Sequence, residues 1–278
     1  MKPARFDYAR PASVSEAVML LARHGTDAAV LAGGQSLMPM MAMRLATPGL
    51  LVDIGRLPDL DRVEPKDDHL VIGALATHAA LLASPLVRAS APLLAEALPH
   101  VAHPAIRNRG TLGGSLALAD PAAELPACMV CLDAEITLVS LRGERVVLAG
   151  DFFRGVYGTD REPDELLVSV AVPVAREGWR FSFGEVAHRH GDFALAGLAF
   201  GARREGRRIV ESRVAYCGIE DAPRRLLATE SCLAAGRSFV EAREVARREL
   251  EPGSSRDAPA AWRRRLAGAL LERAGRTA

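Results

Sequence analysis

Ala28-Ala29-Val30-Leu31-Ala32-Gly33-Gly34-Gln35-Ser36-Leu37 is a short apolar strand that runs straight into a glycine pair. A second pair lies in Thr111-Leu112-Gly113-Gly114-Ser115-Leu116, which continues through Ala119-Asp120-Pro121-Ala122-Ala123-Glu124. Glycine reaches backbone conformations barred to other residues and lets a ligand approach the main chain. Each pair sits beside hydroxyl side chains, so each can present N–H and O–H donors in a concave loop. One such pair alone is as well explained by a tight turn. Two together, with the carboxylates Asp120 and Glu124 after the second, favour a ligand with two linked phosphates, a dinucleotide.

Neither stretch is G-x-G-x-x-G, which excludes the Rossmann fingerprint, and neither is a G-x-x-x-x-G-K-[ST] P-loop. No lysine lies near either loop. Phosphate held by backbone and hydroxyl donors, with few local cations, suits a tightly held cofactor.

Working outward, the opening reads as a βαβ-like unit. Ser13 and Glu16 form a capping box for a helix with Ala17, Val18, Leu20 and Leu21 on one face, and Gly25 is placed to end it. Leu37 to Arg44 suits a brief helix and Leu50 to Ile54 a strand. From Pro58 a second unit starts: a strand at Leu70–Gly73, a helix capped by Thr77, and helical character from Ala91 to Leu98. His100 to Ser115, rich in Pro, Asn, Arg and Gly, reads as a long loop, and such loops in compact domains are usually functional or disordered. Ala122 to Cys131 reads as a buried helix, Glu135–Leu141 and Arg145–Leu148 as a hairpin, and Leu166–Val172 as a strand. Composition shifts at 173–178. Beyond it come three strands, at Arg180–Val186, Phe193–Arg203 and Ile209–Cys217, the last two joined at Glu205-Gly206. Helices follow at Arg225–Ala235, Phe239–Leu250 and Ala260–Ala274, with Pro252-Gly253-Ser254-Ser255 separating the last two.

The 278 residues suffice for two modest domains. A net charge of +1 gives no reason to expect nucleic acid or an anionic membrane as partner, and 5% aromatic residues argue against a base-stacking platform. The start, Met1 to Phe6, lacks the apolar core of a signal peptide, and no apolar run is long enough for a transmembrane segment, so the expected location is cytoplasmic. Cys128 and Cys131 form a C-x-x-C in apolar helical surroundings, where a buried structural role outweighs a redox or metal one. With no second cysteine pair nearby, an iron–sulfur cluster in this chain is not expected. His100 and His103 lack a third metal ligand, so no metal site is expected. His188 and His190 alternate in a strand-like segment. Trp262-Arg263-Arg264-Arg265 opens an amphipathic helix that suits a solvated or subunit-facing surface. No serine sits in a G-x-S-x-G context, so no catalytic residue is assigned: the chemistry is expected from a cofactor.

The ordered motifs Ala-Gly-Gly-Gln-Ser-Leu, Arg-Asn-Arg-Gly-Thr-Leu-Gly-Gly-Ser, Ala-Asp-Pro-Ala-Ala-Glu-Leu-Pro and Arg189-His190-Gly191-Asp192-Phe193-Ala194-Leu195 closely resemble the FAD-binding medium subunit of molybdenum hydroxylases, of the carbon monoxide, nicotine and xanthine dehydrogenase types. The resemblance covers nearly the whole chain. It implies an α+β fold: an FAD-binding domain of the vanillyl-alcohol-oxidase type in two subdomains, 1–57 and 58–175, then a small α+β C-terminal domain, 176–278. It implies that the two loops wrap the FAD pyrophosphate, with Ala32, Gly33, Gly34, Gln35, Ser36 and Leu37 from the first and Thr111, Gly113, Gly114 and Ser115 from the second. Asp120 and Glu124 match acidic positions that could accept hydrogen bonds from FAD hydroxyls, and Leu167 and Asp192 match positions near the flavin. The implied function is electron transfer. A large subunit holds the molybdenum cofactor, a small one carries two [2Fe–2S] clusters, and this chain passes electrons through FAD to an external acceptor, a quinone or NAD. One departure stands out: the xanthine dehydrogenase type has a lysine near the flavin where Glu185 stands here, which speaks against NAD reduction. The alternative is a self-contained flavin oxidase or reductase, for which the roughly 100 residues after 175 are a small substrate domain.

Overall fold

The computed structural model describes residues 2–206, 208–253 and 258–277; Ser254 and Ser255 of the expected separator lie outside them. The first unit comprises β1 (Asp7–Ala9), α1 (Val14–His24), β2 (Ala28–Leu31), α2 (Leu37–Ala42) and β3 (Leu50–Asp53). Its three strands are parallel in the order β1-β3-β2. Helix α1 starts because Ser13 accepts a hydrogen bond from the Glu16 N–H, and it stops at Gly25, whose φ of 53° suits glycine. The capping box is modified: the Glu16 carboxylate reaches the Ala12 N–H, at 2.7 Å, and not that of Ser13. Ala17, Val18 and Leu21 close the core beneath the sheet.

The second unit runs through β4 (Val63–Lys66), β5 (His69–Gly73), α3 (His78–Ala83), α4 (Pro85–Ser90), α5 (Pro92–Ala97), α6 (Pro104–Arg107), α7 (Leu112–Leu118), α8 (Glu124–Leu132), β6 (Glu135–Ser140), β7 (Gly143–Leu148), α9 (Ala149–Phe152), β8 (Phe153–Gly155), β9 (Gly158–Thr159) and β10 (Leu166–Pro173). Its antiparallel sheet has the order β4-β5-β10-β6-β7, and β8 pairs with β9. Every residue of α8 is buried. An all-round apolar helix belongs in the middle of a core, and α8 lies in the largest cluster with Leu112, Leu116, Ile136 and Val170.

One expectation fails here. The stretch 100–115 is not an irregular loop: α6 occupies Pro104–Arg107, and the second glycine pair lies inside the first turn of α7. Glycine pairs lower helix propensity, and tertiary burial of Leu112, Gly113 and Leu116 overrides that.

The third unit is a meander of β11 (Trp179–Val186), β12 (Ala196–Glu205) and β13 (Arg208–Cys217), followed by α10 (Leu227–Ala234), α11 (Phe239–Glu249) and α12 (Ala260–Thr277). The stretch Phe193–Leu195 precedes β12 instead of belonging to it, and His188 and His190 sit in exposed turns and not in a strand. Strand β12 is buried on both faces. Ala196, Leu198, Phe200 and Ala202 join the core with the C-terminal helices, whereas Ala199, with Phe183, Ala215 and Cys217, joins the core around α8. The third sheet is thus the middle layer between α8 and the C-terminal helices. The whole is an α+β architecture in which two sheet-bearing units precede a C-terminal α+β unit.

Candidate functional site

Strand β2 ends at Leu31, and the chain turns at Ala32 into the first loop. The backbone N–H groups of Gly33, Gly34, Gln35, Ser36 and Leu37 donate to no acceptor among the described residues. Five consecutive unspent donors are unusual, because backbone polar groups are normally paired. Gly34 takes φ 73°, and the Gln35 amide donates to the Gly33 carbonyl at 2.9 Å, holding the loop open. Ser36 is exposed, and its hydroxyl makes no capping bond to α2. A Cβ at Gly33 would fall on the Arg109 carbonyl oxygen, so the first loop is seated directly on the chain that enters the second.

The second loop is built differently. Its N–H groups are used inward: Leu112 donates to the Ala76 carbonyl at 3.0 Å, Gly113 to Ala74 at 2.9 Å and Gly114 to the Thr111 hydroxyl at 3.1 Å. Gly113 is buried, and a Cβ there would lie 2.6 Å from that of Ala74. Gly114 is exposed, with only the Thr111 hydroxyl nearby, and Ser115 is half-buried beside it. Ala74 also donates to the Val168 carbonyl at 2.9 Å, which links this loop to β10 at Leu167. Leu167 is buried where the β10–β6 register shifts.

Left-handed Ala119 (φ 53°) ends α7 and turns the chain to Asp120. The Asp120 carboxylate accepts from the Ala122 N–H at 2.9 Å and lies 3.4 Å from the Tyr157 hydroxyl. An open cleft lined by Asp120, Tyr157, His188, Asp192 and Phe193 brings two of the expected acidic residues together, although neither glycine loop lines it. Asp192 is exposed. Glu124 is only 7% exposed, and burial, assisted by Asp120, pushes its carboxyl up to about 7.

Two residues outside the expected site set bear on it. Arg109 is exposed, makes no ion pair among the described residues, and its backbone carbonyl occupies the place of a Cβ on Gly33. Neighbouring Arg107 turns instead to the Val101 and Ala102 carbonyls, each at 2.8 Å. His78 is 5% exposed beneath Gly110, and neither ring nitrogen has a hydrogen-bond partner. Burial pushes its pKa down to about 4, so the ring is neutral near pH 7. Its only sequence signal is a polar ring in the apolar run Thr77 to Leu82. Among the described residues no group of three or more His, Cys, Asp or Glu could hold a metal ion, and no helix is long and apolar enough to cross a membrane.

A run of free N–H groups and glycines where a Cβ would intrude fit a linked diphosphate approaching the main chain. That is the binding chemistry of a dinucleotide cofactor held without a P-loop. Comparison with known proteins agrees. Residues 4–175 match the FAD binding domain in molybdopterin dehydrogenase and residues 181–278 the CO dehydrogenase flavoprotein C-terminal domain. The chain belongs to this family, the FAD-binding subunits of molybdenum hydroxylase oxidoreductases. It is 42% identical over 234 residues to the caffeine dehydrogenase subunit beta of a Pseudomonas species (strain CBB1), covering 84% of this chain and 79% of that one. A carbon monoxide dehydrogenase structure from Hydrogenophaga pseudoflava superposes with a TM-score of 0.95 at 37% identity, over 98% of this chain and 96% of that one. Quinoline 2-oxidoreductase from Pseudomonas putida 86 gives a TM-score of 0.92 at 39% identity, over 98% and 96%.

Proposed function

We propose that this chain is the electron-transfer flavoprotein subunit of a cytoplasmic molybdenum-containing hydroxylase. It works beside a large molybdenum-cofactor subunit and a small [2Fe–2S] subunit, and it passes electrons from the clusters through FAD to an external acceptor. The observation that carries this reading is the run of five unspent N–H groups at 33–37 beside Arg109. Those donors bind the pyrophosphate, and the Arg109 guanidinium offsets its charge. Gly114 lets the cofactor reach the α7 turn, where Thr111 and Ser115 offer hydroxyls. Asp120 and Glu124 accept hydrogen bonds from FAD hydroxyls, and Leu167 and Asp192 flank the ring. When bound, FAD supplies a carrier that takes up and releases electrons, while the protein provides binding, orientation and electrostatics.

The domain limits that go with this reading are 1–57, 58–175 and 176–278. By the family resemblance Glu185 stands where the xanthine dehydrogenase type has a lysine near the flavin, which speaks against NAD as the acceptor.

Purification tests the assignment. The chain is expected to be yellow, absorbing near ~450 nm, and to release FAD and not FMN on denaturation, since the cofactor carries the chemistry. Co-purification of a molybdenum subunit and an iron–sulfur subunit is expected. A colourless chain that takes up no FAD refutes the reading, and a yellow chain that purifies alone and oxidises its own substrate points to a self-contained flavoenzyme.

A further inference from the structure

Two carboxylates that make no ion pair among the described residues lie at one end of the seam between α8 and the third sheet. Glu185 on β11 stands opposite Gly197 on β12, and Gly197 stands opposite Cys217 on β13. These three share the sheet face turned to α8, the face that also carries Phe183, Ala199 and Ala215. The Cys217 sulfur fills the space that a Cβ at Gly197 would need, so this row is closely packed. Helix α8 runs along β13. Near its start, the Gly218 N–H donates to the Pro121 carbonyl at 2.7 Å; near its end, the Cys131 thiol lies 3.8 Å from the Arg213 carbonyl. That alignment brings Glu124, the first residue of α8, to the Cys217–Glu185 end of the row. Glu124 and Glu185 both act on Cys217, and Glu124 is the charge that acts on Glu185.

Among the described residues, Glu185 Oε2 is buried with no hydrogen-bond partner, and Glu124 is hydrogen-bonded only to its own backbone N–H. The other titratable groups that face the pair are Asp120 ahead of α8, Cys128 on α8 and Cys217 on β13. His100 packs on Phe183, two residues before Glu185, at 5.3 Å between ring centroids, and burial lowers its basicity. Among the described residues no lysine or arginine acts on either carboxylate. A buried carboxylate and a half-buried one at the same end of a seam, without a cation, cannot both ionise at little cost.

We propose that Glu124 and Glu185 hold one proton between them at neutral pH and act as a proton-holding pair in the wall of the cofactor site, one member on α8 and the other on the C-terminal sheet. The placement in the cofactor wall rests on the functional reading above; the shared proton rests on the seam alone. Burial pushes Glu185 up to about 8 and Glu124 up to about 7. Holding one proton, the pair carries a single negative charge, and it can take up one more proton when negative charge arrives beside it.

The sign of the pH effect follows. Both acids have folded-state values above the ordinary carboxylate range, so between about 4.5 and 8 the folded chain holds more protons than the unfolded chain. Stability from this source is full at low pH and is lost as pH rises through the folded values. Thermal unfolding of the purified full-length chain, with and without added FAD, is expected to show Tm falling by roughly 4 °C between pH 6.5 and 8.5. In Glu185→Gln and Glu124→Gln that fall should disappear. A merely structural role would shift Tm by the same amount at every pH, and that result overturns the proposal. Infrared spectroscopy of the unmodified chain gives a second readout that does not depend on the variants folding. A protonated-carboxyl C=O band present at pH 7 and lost above pH 9 supports the pair, and its absence at pH 7 refutes it. Failure to retain FAD would refute the functional reading and leave both proton measurements intact.

Discussion

Gly33-Gly34 and Gly113-Gly114 are the same dipeptide used for opposite purposes. At the first pair the main chain leaves five N–H groups unspent, and Gly33 is needed because the Arg109 carbonyl occupies the place of its Cβ. At the second pair the N–H groups are consumed by Ala74, Ala76 and the Thr111 hydroxyl, Gly113 is pressed onto Ala74, and only Gly114 opens to solvent. One loop is the donor surface. The other is a packed helix turn that offers a bare face and two hydroxyls. Seating the first on the approach to the second places both beside the same volume.

Substitutions can break this contrast. Gly33→Ala should have the largest effect, because backbone and not a flexible side chain blocks the new methyl. A loss of about 3 kcal/mol or more in urea unfolding is expected, together with loss of FAD; a loss below about 1 kcal/mol would mean that the two loops are not in contact. Gly114→Val should act mainly on binding, although its Cβ would lie 2.8 Å from the Thr111 hydroxyl that caps α7. FAD affinity is expected to fall at least about tenfold, or 1.4 kcal/mol, with a loss of stability no larger than that of the cap, about 1 kcal/mol, and full FAD occupancy would remove Gly114 from the site. Thr111→Ala is the mildest, removing the cap of α7 for about 1 kcal/mol. Circular-dichroism melts of apo and FAD-loaded protein would show whether that loss concerns the helix alone or the cofactor as well.

The elements that sequence reading recovered are those with a local cause. Ser13 caps α1 through its own hydroxyl, Arg142-Gly143 turns β6 into β7, and the three strands after 178 alternate between two apolar cores. The elements it missed are short and held from a distance. Strand β1 is three residues, of which Asp7 and Tyr8 are exposed, ordered by pairing with Leu50 to Val52 far along the chain. Strand β4 is a largely exposed edge with Pro65 in it. Helices α6 and α7 arise in a stretch whose composition argues for a loop, because Leu112 and Leu116 find a core that no local pattern reveals. The glycine pairs were legible as a candidate site, but their division of labour was not. That division depends on Ala74 and Arg109, which reach the loops only in three dimensions.

Full burial of α8 has a further consequence for its sulfur. Cys128, Cys131 and Cys217 are free thiols in one apolar seam, and burial raises all three, Cys131 to about 12. A thiol kept from ionising is a poor nucleophile and a poor target for oxidants. Burial therefore shields the three thiols from oxidants in solution. The same three sulfurs become reactive once α8 parts from β13, which makes them a chemical marker of that seam opening.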